Sequence, residues 1–97
     1  MIVATGRIVL RISHSHSLKD KRSVVRPLIA QLQRRFQISA AEVEEQDRWQ
    51  TGVIGIACVS SETAHAESVI ARAIVFLERS ASDAEIVDVR TETLHGC

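Results

Sequence analysis

Tyrosine is absent from this chain, and Trp49, Phe36 and Phe76 are the only aromatic residues among its 97. Both phenylalanines fall at apolar positions of helical segments, so no row of rings is left to form a base-stacking sheet of the RRM kind. Proline occurs once, at Pro27, and glycine four times. That scarcity leaves no G-x-S-x-G elbow, no P-loop and no glycine-rich nucleotide fingerprint. The two cysteines, Cys58 and Cys97, are far apart, which excludes a disulfide framework and a clustered zinc site. Both read as thiols, Cys58 as a small core residue. No apolar run approaches the ~20 residues of a membrane span. The opening MIVATGRIVLRIS has no basic leader and is interrupted by Arg7 and Arg11, so it reads as a strand and not a signal peptide; a cytoplasmic protein is expected.

Charge is present but unevenly placed. Residues 1–35 hold eight Lys/Arg against Asp20 alone, and residues 36–97 hold four Lys/Arg against eleven Asp/Glu, so the net charge of zero conceals a +7 and a −7 segment. A local basic surface attracts polyanions even on a neutral molecule. It implies nothing about catalysis.

A chain of this length makes one domain, residues 1–97. Ile2, Ala4, Gly6, Ile8, Leu10 and Ile12 alternate with Thr5, Arg7, Arg11 and Ser13, the period of a strand with one buried face. From Leu18 the spacing turns helical, with Leu18, Val25, Leu28, Ile29, Leu32 and Phe36 on one side. Ser17 with Asp20 three residues later caps that helix, and Pro27 within it predicts a kink. Residues 37–45 and 49–60 read as two strands joined by Gln46, Asp47 and Arg48, the second apolar at nearly every position and therefore central in a sheet. Residues 62–79 are helical again, and 84–93 alternate as a fourth strand.

The order βαββαβ predicts an α+β, ferredoxin-like sandwich: a four-stranded antiparallel sheet with two helices on one face. The other face is then open. With the first strand between the third and fourth, Arg7 and Arg11 project from the open face beside Asp88 and Glu92 as structural cross-strand pairs. If the third strand is apolar on both faces, Val53, Ala57 or Val59 join an exposed patch that a second subunit could cover, and a homo-oligomer is the partner this predicts.

SLKDKRSVVRPLIAQLQRRF, ISAAEVEEQDRWQTGVIGIACVS and the closing IVDVRTE together resemble the small bacterial YlxP-like family, a domain of unknown function. The SLK-x-KR-x-VVR and AEV...QD-x-WQ runs are its specific parts. The resemblance implies a ferredoxin-like fold and a gene often placed among those for ribosome maturation and translation initiation. The HSH sequence ahead of the SLK run departs from the family pattern and gives no support to a metal site.

Among candidate site residues, Lys19, Arg22, Arg26 and Arg34 lie opposite the helix's apolar stripe, with Lys21 and Arg35 on its flanks. Such a face could track a phosphate backbone, as in RNA or a ribosomal assembly; the alternative is a solvated surface, or one docking an acidic protein. Trp49, beside the hairpin, either closes one end of the core, the expected role, or anchors a partner. His14 and His16 share a side in an extended segment, but two ligands make a poor metal site. His65 and His95 read as surface residues. Glu42, Glu44, Glu45 and Asp47 read as solvated carboxylates on the hairpin, not an acid/base pair. Where ferredoxin-like acylphosphatases carry a glycine-rich anion loop, this chain reads SHSHSLKDKR and lacks the cradle. No cofactor and no catalytic residue is expected: the favoured reading is a non-enzymatic binding module.

Overall fold

The computed structural model describes residues 1–96, so the expected thiol at Cys97 lies outside it. Strand β1 (Ile2–Arg11) is followed by helix α1 (Leu18–Phe36), strands β2 (Ser39–Glu44) and β3 (Thr51–Ser60), helix α2 (Thr63–Ser80) and strand β4 (Glu85–His95). The strands form one sheet in the order β2-β3-β1-β4, every neighbouring pair antiparallel. The βαββαβ expectation holds, with each element boundary shifted by no more than two residues.

The alternation in β1 decides which way the sheet faces. Ala4, Gly6, Ile8 and Leu10 are buried together with their β3 partners Cys58, Ile56, Ile54 and Gly52. Val25, Leu28 and Leu32 of α1 and Ala66, Val69, Ile70, Ala73 and Leu77 of α2 complete that core. Thr5, Arg7, Val9 and Arg11 stand on the opposite face, which no helix covers, because side chains one residue apart leave a strand on opposite sides.

Helix α1 begins where its sequence says it should. Ser17 is extended, and its hydroxyl accepts from the Asp20 amide at 3.0 Å, satisfying one of the amides that a helix start leaves free. It runs unbroken through Pro27 and ends at Gln37, whose left-handed backbone (φ 53°) lets its N–H donate to Gln33. Arg34 and Arg35 occupy its last turn, beside the negative end of the helix dipole.

Both edge strands are bulged, and neither bulge shows in a count of period two. In β2, Glu42 lies opposite Ile54 and Glu44 opposite Val53, leaving Val43 as the extra residue. In β4, Ile86 lies opposite Leu10 and Asp88 opposite Val9, leaving Val87 extra. Each bulge throws side chains two apart onto opposite faces and disrupts the exposed ladder, a common protection of edge strands against pairing with other chains.

Candidate functional site

Lys19, Arg22 and Arg26 are one helical face, at offsets of three and seven residues, and Arg34 continues it. All four are exposed, and among the described residues none lies within ion-pair reach of a carboxylate. Arg35 is also exposed but is drawn toward α2, its guanidinium 4.7 Å from the centre of the Phe76 ring, a cation–π contact. Phe76 in turn meets Phe36 edge to face, ring centres 5.7 Å apart.

Lys21 departs from the expectation. It is 1% exposed, not on the flank of the basic face. A helix advances about 100° per residue, so Lys21 stands about 200° from Lys19 and falls on the stripe of Val25, Leu28 and Leu32. Its ammonium reaches beneath the β2–β3 loop and donates to the carbonyls of Glu45 (2.9 Å), Gln46 (3.2 Å) and Thr51 (3.2 Å). Three protons meet three carbonyls. Glu42 Oε2, buried and with no directed hydrogen bond of its own, sits 2.8 Å from Nζ and balances the charge. Lys21 is therefore a structural staple and cannot face a partner.

The bulge at Val43 makes this possible. It sends Glu42 to the helix side, toward Lys21, and Glu44 to the open side, where it pairs with Arg7. The hairpin carboxylates expected to be a solvated group are thus dispersed, the third, Glu45, pairing with Arg48 at 2.7 Å. On the open face the guanidinium of Arg7 donates to Glu44 and so holds that carboxyl below the usual carboxylate range, while Glu44 raises Arg7. Arg7 also lies 3.9 Å from Asp88, as expected. Arg11 pairs with Glu85 at 3.9 Å instead of Glu92, because the register sets Glu92 opposite Thr5.

Trp49 was expected to close the core at the start of β3. Instead it is 56% exposed, in the loop ahead of that strand. Core closure at that end is supplied by Ile12, Val25 and Leu28, already buried without it. The loop is nonetheless fixed. Gln50 donates its side-chain amide to the carbonyls of Ser13 and Ser15, each at 3.1 Å, and its own carbonyl accepts from the Ile12 amide at 2.9 Å. The two runs that carry the family resemblance, SLKDKR and AEVEEQDRWQ, therefore meet in space through Lys21.

The open sheet face holds a shallow groove of about 710 Å³ floored by small residues, among them Thr5, Ser39, Ala41, Gly55 and Ala57. At one end Val3 lies between Val59 and Leu94, both exposed. Val53, grouped with this patch from the sequence, is buried. His14 and His16 are exposed, as are His65 and His95, and no three metal-ligating side chains converge among the described residues. No helix among them is long and apolar enough to cross a membrane.

An antiparallel four-stranded sheet in this order, with two helices on one face, defines a ferredoxin-like domain. Solved structures agree: a de novo designed protein, Foldit4, superposes with a TM-score of 0.58 at 10% identity, covering 100% of both chains. A designed protein with the ferredoxin fold gives 0.55 at 16% identity, over 99% of this chain and 88% of its own. A dimeric ferredoxin-like protein from an uncultured marine organism gives 0.50 at 10%, over 97% and 94%. Within that fold, residues 3–91 match the family described as a protein of unknown function, DUF503, and the chain belongs to it. It is 37% identical over 76 residues to the uncharacterized protein YlxP of Bacillus subtilis strain 168, covering 78% of this chain and 82% of that protein.

Proposed function

We propose that this protein is a non-catalytic binding module that holds RNA through the cations of α1. The observation that carries the reading is that Lys19, Arg22, Arg26 and Arg34 stand exposed on one helix with no carboxylate partner among the described residues, although the chain as a whole is neutral. Cations already balanced by the protein's own acids would gain little from phosphates. Free ones release counterions from the nucleic acid on binding. The gene setting implied by the family resemblance makes ribosomal RNA the polyanion to test. Lys21, buried, takes no part.

Reversing Lys19, Arg22 and Arg26 to glutamate should abolish micromolar RNA retention in filter binding at low salt, with the circular dichroism spectrum unchanged. For the unmodified protein, affinity should fall with salt by about 0.7 log units per log unit for each phosphate contacted. RNA binding untouched by the triple reversal sinks the proposal.

The uncovered sheet face favours a second reading, a homodimer. Three strands of ten or eleven residues and one of six, spaced ~4.8 Å apart, present roughly 600 Å² per copy, and two such faces reach the low end of specific interfaces, roughly 1,200 Å². The dimeric ferredoxin-like protein from an uncultured marine organism is consistent with self-association by this fold. Val59, 65% exposed, stands at the edge of that face. Light scattering should then show a dimer at micromolar concentration that Val59→Asp dissociates, and a strict monomer removes the reading.

A further inference from the structure

We propose that Trp49 is a stacking platform for one unpaired base of a single-stranded RNA whose phosphates run along Lys19, Arg22 and Arg26. The inference rests on the RNA reading above and adds to it the strandedness of the ligand and the residue that senses it.

Exposure of the indole is the first observation, and immobilisation of the loop beneath it is the second. Glu45, Gln46 and Thr51, which bracket Trp49, all give their carbonyls to the buried Lys21 ammonium, and the adjoining Gln50 is fastened to Ser13, Ser15 and Ile12. A large apolar ring held out of the core by a loop with no freedom to fold it inward is pre-organised, so a ligand meeting it loses little conformational entropy. The lysine that fixes the loop belongs to the first turns of the basic helix.

The same hydrogen bonds set an upper bound on the separation of the ring from the cations. Gln50 is bonded to Ser15, whose hydroxyl donates to the carbonyl of the α1 cap, Ser17, and Lys19 follows two residues later. Counting ~3.8 Å per residue along that path and adding the reach of the side chains and hydrogen bonds, Trp49 and Lys19 are within roughly 30 Å, a distance several nucleotides of single strand cover. Asp47, two positions before Trp49, is exposed and unpaired among the described residues, so phosphate is disfavoured beside the hairpin loop itself.

No other ring can serve. Phe36 and Phe76 pack edge to face against each other, Arg35 covers the face of Phe76, and the open sheet face is without aromatic side chains. Bases within a duplex are already stacked, so only an unpaired base can use an isolated indole.

Trp49 is the only tryptophan of the chain, which makes its fluorescence a direct readout. Titration with a single-stranded RNA 12-mer should quench emission in parallel with filter binding, whereas the same sequence annealed into a duplex should bind without quenching. Trp49→Ala should weaken single-strand binding about 5- to 150-fold, leaving the salt slope and duplex binding unchanged. Trp49→Phe should restore most of it. Single-strand binding with unaltered emission and an affinity equal in Trp49→Ala overturns this inference and leaves the RNA reading standing. Absence of binding by either RNA overturns both.

Discussion

Lys21→Met is expected to lower the unfolding free energy by about 3 kcal/mol, a loss large enough to bring a domain of ~5–10 kcal/mol near its threshold. Methionine keeps the apolar stem in place between the helix and the hairpin but removes the ammonium. Three loop carbonyls then lose their donor at once, and Glu42 is left as a half-buried carboxylate with no counter-charge. Removing one partner of a buried pair costs about 3–5 kcal/mol, and because the Glu42 side chain is 21% exposed, water can partly replace the missing partner, which places the effect at the lower end. Lys21→Arg should recover only part of the loss, since a planar guanidinium cannot direct donors at three carbonyls around a single point. Lys19→Met, on the exposed face, should stay within about 0.5 kcal/mol. Urea denaturation followed by circular dichroism measures all three. If Lys21→Met costs less than about 1 kcal/mol, the staple has been misread, and with it the rigidity of the loop that displays Trp49.

The second large effect is expected at Gly6, and it separates two crowded glycines that look alike by distance alone. A Cβ built on Gly6 would stand 3.0 Å from Ile56 Cγ1 and 3.5 Å from Ile70 Cγ2; one built on Gly55 would stand even closer to a neighbour, 2.8 Å from Val43 Cγ1. Distance would rank Gly55 as the worse site. Burial reverses the order. Ile56 and Ile70 are 3% exposed and pinned between sheet and α2, whereas Val43 is the half-exposed extra residue of the β2 bulge and can turn outward into solvent. Gly6→Ala should therefore destabilise by about 2 kcal/mol, within the range of overpacking effects, because Ile56 has no space to move into beneath α2. Gly55→Ala should lie near zero, the small displacement of Val43 being offset by the lower backbone entropy of the unfolded chain. Thermal unfolding of the two variants checks the ranking. Equal losses would show that α2 does not rest on β1 as closely as described.

Much of the architecture is legible in the residues themselves. The alternation from Ile2 to Ile12 sets the buried face of β1, Ser17 and Asp20 mark the start of α1, and the apolar run of β3 sets its central place, because each reflects chemistry within a few residues. Lys21 was equally legible by position, on the stripe of Val25, Leu28 and Leu32, but its charge argued for solvent. Charge is a sound guide only when no set of carbonyls and a carboxylate waits in the core, and those come from a hairpin 21 residues and more away. Trp49 misled in the opposite sense: its size argued for burial, yet the core at that end is full without it.

What the sequence determined by itself is the order of the elements, the side each presents to the core, and the separation of positive from negative charge along the chain. These follow from periods of two and 3.6 residues and from composition. Tertiary structure alone decided which charges remain free. The β2 bulge turned Glu42 under the sheet toward Lys21 and Glu44 above it toward Arg7, the bulged register of β4 set Asp88 and Glu85 beside Arg7 and Arg11, and Lys19, Arg22, Arg26 and Arg34 were left without a carboxylate among the described residues. Ion pairing depends on approach to within a few ångströms, and between residues distant in sequence only the folded register supplies it.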